Sequence, residues 1–164
     1  MTGMHRSYIL MGSNIQPELN IQSALRHLQA SVELLAISPV WETPAMGSDG
    51  PDFLNLVIYI ATHHELDALK LGVLRQVESS LGRVRTSDKN APRTIDLDIL
   101  IYDHKILEPA IWLQAHIACP LAGLFPDLVD PNSGQRLAEI AARLSQKVPV
   151  RLRPDFDPAV GLLG

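Results

Sequence analysis

Two carboxylates, Asp96 and Asp98, stand two residues apart in the run Thr94-Ile95-Asp96-Leu97-Asp98-Ile99-Leu100-Ile101-Tyr102. Ile95, Leu97, Ile99 and Ile101 alternate with Thr94, Asp96, Asp98, Leu100 and Tyr102, the period of a strand with one face on a core. Both aspartates then point the same way. At a separation of about 7 Å and an effective dielectric of about 20, two like charges repel by about 2 kcal/mol. A divalent cation between them removes that repulsion, and so does solvation of an acidic outer face; the spacing alone leaves both readings open.

The segment Gly82 to Arg93 precedes this strand and carries four cationic side chains, Arg83, Arg85, Lys89 and Arg93. Cations delivered in a loop beside paired carboxylates suit a polyphosphate carrying magnesium, whose oxygens need metal and guanidinium partners together. A charged surface loop pairing with its own aspartates has the same composition. No Gly-x-x-x-x-Gly-Lys-Ser/Thr loop occurs in the chain, so any phosphate binding falls to the arginines and the metal.

The elements that must position these groups follow from apolar spacing. Tyr8 to Met11 reads as a buried strand closed by the turn Gly12-Ser13-Asn14, and Pro17 to Ala30 as a helix burying Ile21, Ala24, Leu25 and Leu28. Leu34 to Trp41 reads as a strand that Pro39 demotes to an edge or a bulge. After a Gly- and Pro-rich loop, Asp52 to Thr62 reads as a strand with Phe53, Asn55 and Val57 on one face, where an aromatic and a carboxamide can stack on a flat ring and bond its edge. Leu66, Leu69, Val73, Val77 and Leu81 make Glu65 to Leu81 an amphipathic helix that Gly82 stops, with Glu78 by default a solvated carboxylate on its face. Asp103-His104-Lys105 suggests a hairpin turn, and Leu137, Ile140, Ala141 and Leu144 a last helix read as packing only.

With 164 residues, 46% of them hydrophobic, the chain suits one domain spanning 1–164, its Pro- and Gly-containing tail from 148 to 164 loosely ordered. A net charge of -4 argues against nucleic-acid or membrane-surface partners, and the basic residues are not interleaved with aromatics. Cys119 is the only cysteine, and no apolar run approaches the roughly 18 residues of a membrane span or has the form of a signal peptide, so a reducing, cytoplasmic setting is expected.

Gly82-Arg83-Val84-Arg85 followed by Pro92-Arg93-Thr94-Ile95-Asp96-Leu97-Asp98-Ile99 resembles the signature of the hydroxymethyldihydropterin pyrophosphokinase family of folate biosynthesis. Met11-Gly12-Ser13-Asn14, Thr43-Pro44-Ala45-Met46-Gly47 and Pro51-Asp52-Phe53-Leu54-Asn55 resemble further blocks of that family, in the same order. The resemblance implies an α+β, ferredoxin-like fold, a mainly antiparallel sheet with helices on both faces in three layers. It implies a transferase moving a pyrophosphoryl group from ATP to the hydroxymethyl group of 6-hydroxymethyl-7,8-dihydropterin and releasing AMP. In that reading Asp96 and Asp98 hold two magnesium ions, Arg83 and Arg93 clamp the transferred group, and Arg85 steadies the triphosphate. Glu78 lies near the nucleotide, and so does His116 if it is the family histidine, a plain surface or core histidine being the alternative. Phe53 stacks on the pterin, Asn55 bonds its edge, and Thr43, Pro44, Ala45 and Met46 close the pocket. Partners are small molecules, with a monomer expected and a homodimer the alternative.

Three departures from the family stand out. Asn90 occupies the position of an aromatic residue, a tryptophan in well-known members. Between His116 and Pro120-Leu121 the chain is several residues shorter, losing an arginine and a phenylalanine, and Ala115 replaces a proline before the histidine. A thinned lid of this kind predicts weaker binding or slower turnover, with a divergent paralogue that binds pterin or nucleotide without much catalysis as the alternative. The segment from Pro120 to Leu128 resembles one in which a short helix ends at a proline.

Overall fold

The computed structural model describes residues 3–44, 50–82, 94–160 and 162. Its centre is strand β1, His5–Ser13, paired antiparallel on one side with β4, Phe53–Thr62, and on the other with β5, Asp96–Tyr102. Strand β2, Glu33–Ile37, and strand β3, Trp41–Thr43, both pair with β4, so the segment expected as one strand from Leu34 to Trp41 is two. The break falls at Ser38 and Pro39. Pro39 has no N–H to give the ladder, while the Ser38 hydroxyl accepts from the Val57 N–H at 2.8 Å and keeps β4 satisfied across the gap.

The order β2-β4-β1-β5, with helices in the two crossovers, is the ferredoxin-like arrangement, and all its pairings are antiparallel. Strand β6, Lys105–Ile106, extends one edge through a hairpin whose Asp103 takes the left-handed conformation (φ 53°). Strand β7, Arg151–Leu152, extends the other by pairing with β3. Arg151 and Leu152, within the tail that the sequence leaves loosely ordered, are thus fastened to the sheet. Arg153 continues the fastening, with its N–H on Val40 O at 2.9 Å and its guanidinium 2.9 Å from Glu42 and 2.8 Å from Glu18 and Asp155.

Helix α1, Pro17–Gln29, starts with Pro17 in the first turn and carries Glu18 there and Arg26 and His27 in the last turn, as the helix dipole favours. Its Ile21, Ala24, Leu25 and Leu28 pack on Ile9 and Met11 of β1 and on Leu54, Leu56, Ile58 and Ile60 of β4. The second crossover is wound wider than an α-helix over Ala68–Leu74, where the Arg75 N–H reaches back five residues to Lys70 O, and continues as α2, Arg75–Ser80. Residues at intervals of both four and five then face inward, so Leu69, Val73, Leu74, Val77 and Glu78 are all buried. Gly82 ends the helix in the left-handed region, φ 81°.

The opposite face of the sheet is covered by α3, Ala115–Ala122, and α4, Leu137–Ser145, which bury Leu10, Val57, Leu100, Ile101, Ile111 and Leu121. Pro120 lies inside α3, which ends at Ala122, before Pro126. Strand β5 departs from strict alternation. Its register against β1 slips between Tyr8 and Ile9, so that Ile101 opposes Tyr8 and Ile99 opposes Ile9. The extra residue turns Leu100 and Ile101 both toward α3 and returns Tyr102 to the α1 side, with Ile95, Leu97 and Ile99. Ile101 therefore does not share a face with Ile95, Leu97 and Ile99.

Candidate functional site

Ahead of the bulge the strands are regular, and their register lays out the floor of a cavity on the α3 side. One row runs Trp41, Asn55, Gly12, Asp96 across β3, β4, β1 and β5, and the next runs Val57, Leu10, Asp98. Thr43 opposes Phe53 beside the first row. Antiparallel partners project to the same side, which puts Thr43, Phe53 and Asn55 at one end and the two aspartates at the other, with Asn55 and Asp96 about 10 Å apart across two strand spacings.

The cavity has a volume of about 640 Å³, and its lining includes Leu10, Gly12, Thr43, Pro44, Phe53, Asn55, Asp96, Asp98 and Leu100. Its far wall comes from Glu108 and Ala110, from Leu113 to Ile117 at the start of α3, and from Leu144 and Lys147 to Val150 at the end of α4. Seven of the residues singled out by sequence therefore meet around one space: Thr43, Pro44, Phe53, Asn55, Asp96, Asp98 and His116. Ala45, Met46, Arg83, Arg85 and Arg93 lie outside the described residues.

Gly12 is where β1 lets the two ends communicate. A Cβ there would lie 2.8 Å from Asn55 Oδ1, so the carboxamide occupies the space a side chain would fill. Asn55 is 4% exposed and its Nδ2 donates to Thr43 Oγ1 at 2.9 Å, which fixes the amide and leaves its carbonyl side toward Gly12. The turn after Gly12 ties the surrounding segments together. Ser13 Oγ lies 2.5 Å from Thr94 O, and Asn14 Nδ2 donates to Pro51 O at 3.3 Å, so the chain just before β5 and the chain just before β4 are both moored to the end of β1.

Glu78 is not a solvated helix-face group. It is 2% exposed, on the α2 side of the sheet, and its Oε2 accepts from the Leu97 N–H at 2.9 Å. It does not line the cavity; it holds the backbone between Asp96 and Asp98 from beneath. His116 does line it, and burial holds its imidazole below the ordinary value of 6.5 against the opposing pull of the Glu108 carboxylate. The ring is accordingly neutral at neutral pH. Cys119 sits behind it with its thiol pushed up to about 11 by burial, unreactive as a nucleophile.

Among the described residues no group of three or more His, Cys, Asp or Glu side chains converges as a metal cage. The donor set on offer is the pair of hard oxygen ligands on β5, open to the cavity. That set fits magnesium, which keeps water and substrate oxygens in most of its six positions and takes only one or two carboxylates from protein. The sequence reading missed Leu10, Leu100, Glu108, Gln114 and the segment Lys147 to Val150. Leu10 follows from the alternation of β1 beside Gly12; nothing local to the others marks them.

A family model described as 7,8-dihydro-6-hydroxymethylpterin-pyrophosphokinase (HPPK) matches residues 8–126. The 2-amino-4-hydroxy-6-hydroxymethyldihydropteridine pyrophosphokinase of Pseudomonas aeruginosa is 36% identical over 152 residues, 85% of this chain and 91% of that protein. The protein of the same name from Haemophilus influenzae is 32% identical over 164 residues, 92% of this chain and 100% of that one. The folic acid synthesis protein fol1 of Schizosaccharomyces pombe is 35% identical over 163 residues, but the chain spans only 22% of its length. Among solved structures, Plasmodium falciparum HPPK-DHPS with pteroate shares the fold at a TM-score of 0.70 and 10% identity, over 90% of this chain and 43% of that one.

Proposed function

The chain belongs to the 7,8-dihydro-6-hydroxymethylpterin-pyrophosphokinase family, and from that premise we propose that it transfers the pyrophosphoryl group of ATP to the hydroxymethyl group of 6-hydroxymethyl-7,8-dihydropterin and releases AMP. The observation that carries this reading is the floor of the cavity, where Asn55 and Asp96 lie two strand spacings apart on one row, with Thr43 and Phe53 beside the first and Asp98 in the next row beside the second. A pterin seated on Phe53, its edge bonded by Asn55, directs its hydroxymethyl arm along the row toward Asp96. Thr43 holds the Asn55 carboxamide in place through the 2.9 Å bond, so the ring meets a donor and acceptor set before it arrives.

In the transfer the substrate hydroxyl oxygen forms a bond to the β-phosphorus of ATP, the bond from that phosphorus to the oxygen bridging it to the α-phosphorus breaks, AMP leaves with that oxygen, and the hydroxyl proton is lost. Asp96 and Asp98 would hold magnesium, two ions by the family resemblance, and the metal when bound neutralises charge on the phosphate oxygens. Arg83 and Arg93 take the role of clamping the transferred group and Arg85 that of steadying the triphosphate. Positioning and electrostatics carry most of such a reaction, so no dedicated general base is required of the chain. Glu78 braces the strand between the two aspartates through the Leu97 N–H, and the resemblance places it near the nucleotide.

A magnesium-dependent assay for AMP formation tests this. AMP is expected only when ATP and the dihydropterin are both present, and Asp96→Ala is expected to abolish it. Near-normal turnover of Asp96→Ala would remove the metal assignment. Calorimetric binding of the pterin and a non-hydrolysable ATP analogue without AMP release would replace the enzyme by a binding module.

A further inference from the structure

Resting on the proposed seating of a flat heterocycle against Phe53 and Asn55, we infer that Val148, Pro149 and Val150 form a second, rigid wall for that ring. They are thereby specificity-determining residues of the site. All three line the cavity together with Thr43, Pro44 and Phe53. The antiparallel pairing of Arg151 with Glu42 brings Val150 alongside Thr43, at the ring-binding end and not at the aspartates.

Three features make this segment a wall. It is stiff: the Val150 N–H donates to Val148 O at 2.9 Å across Pro149, a tight three-residue turn whose central φ the proline ring already restricts. It is held at both ends, upstream by the Lys147 N–H on Leu144 O at 3.0 Å and downstream by Arg151 on Glu42 at 2.6 Å and Arg153 on Glu42 at 2.9 Å. It is also apolar where the cavity is open: Val148 keeps 43% of its surface exposed, facing a space that a ring would fill. An aromatic heterocycle between Phe53 and this turn removes that apolar surface from water on both sides. The segment thus supplies a contact that the shortened chain between His116 and Pro120 does not.

Steady-state kinetics of AMP formation with Val148→Ser and Pro149→Gly test the inference, with Val160→Ser as a control at an exposed valine that does not line the cavity. Val148→Ser is expected to raise the pterin KM about tenfold, the usual scale for one or two lost methyl contacts in an apolar pocket, and to leave the ATP KM within about twofold. Pro149→Gly, which frees the turn without removing an apolar side chain from Val148, is expected to raise the pterin KM as well, and Val160→Ser to change neither. An active wild type whose pterin KM is unmoved by Val148→Ser and Pro149→Gly would overturn the wall. So would equal rises in both KM values. A wild type that makes no AMP would refute the proposed reaction instead. Fluorescence titration of the pterin then decides the wall separately: a Kd weakened by Val148→Ser upholds it, and an unchanged Kd or no binding by the wild type overturns it.

Discussion

Replacing Gly12 by alanine should separate folding from substrate recognition. Gly12 is not in the left-handed region, so alanine can adopt its backbone, and losing a glycine from the unfolded chain stabilises by about 0.4–1 kcal/mol. The new Cβ would lie 2.8 Å from Asn55 Oδ1, against an ordinary contact of about 3.4 Å or more, so the carboxamide must move by roughly 0.6 Å or swing away. Because that atom ends a side chain, the overpacking cost falls at the low end of the usual range, about 1 kcal/mol. The two effects nearly cancel, and loss of the buried bond from Asn55 to Thr43, about 0.5–1.5 kcal/mol, should then lower the melting temperature by a few degrees. Recognition has no such compensation. The bond from Asn55 Nδ2 to Thr43 Oγ1 is 2.9 Å long and will not survive the swing, and the amide then no longer meets the pterin edge. Losing the amide's hydrogen bonds to the pterin edge amounts to about 1–3 kcal/mol, or a rise in pterin KM of roughly 5- to 150-fold, with the ATP KM little changed. Thermal melts beside kinetics with each substrate varied in turn would measure this. A Gly12→Ala protein with the wild-type pterin KM would refute the placement of Asn55 at the ring.

Glu78→Ala strips the buried Leu97 N–H of its acceptor and should cost about 1–3 kcal/mol in chemical denaturation, while Glu78→Gln, which keeps an acceptor oxygen, should cost less. If the carboxylate steadies the strand between the two aspartates, Glu78→Ala should also raise the magnesium concentration needed for half-maximal rate. Arg153→Ala removes contacts to Glu42, Glu18 and Asp155 at a position only 17% exposed, and should lower stability by about 1–2 kcal/mol. His5 has its value raised above 6.5 by its hydrogen bond to Asp103, and Asp103 is held below 3.8 by the same bond. The histidine's contribution to stability is full below pH 6.5 and is lost as pH rises through its raised value. The aspartate's is full above pH 3.8 and is lost as pH falls through its depressed one. His5→Gln should therefore flatten the alkaline decline of the melting temperature expected of the wild type, and an unchanged slope would assign that decline to other groups.

Much of the architecture was legible because it is written in local periods. A short apolar run closed by a turn marked β1, a period of two marked the first half of β5, and the alternation of β4 correctly grouped Phe53, Asn55 and Val57 on one face. Spacings of three and four marked α1 and α4. The failures share a cause. Leu100 and Ile101 are both apolar, so a one-residue bulge between them leaves no trace in the pattern. Glu78 stands beside Val77, and only the wide turn over Ala68–Leu74 rotates both inward. Arg151 and Leu152 are too short and too polar a strand to stand out, yet their pairing with β3 closes a sheet edge and builds a wall of the cavity.

Residue identity and spacing thus settled the strands and helices with strong local patterns, the family, and the pair of carboxylates at the start of β5. Which residues face one another across the cavity was decided by register between strands far apart in the chain: Asn55, Gly12 and Asp96 form a row only because β4 and β5 pair with β1 at those positions. Register is a long-range choice made by the packing of both sheet faces at once, and it is the packing, not the local alternation, that brought the tail at Val148 to Val150 beside Thr43 and turned Glu78 beneath the aspartates.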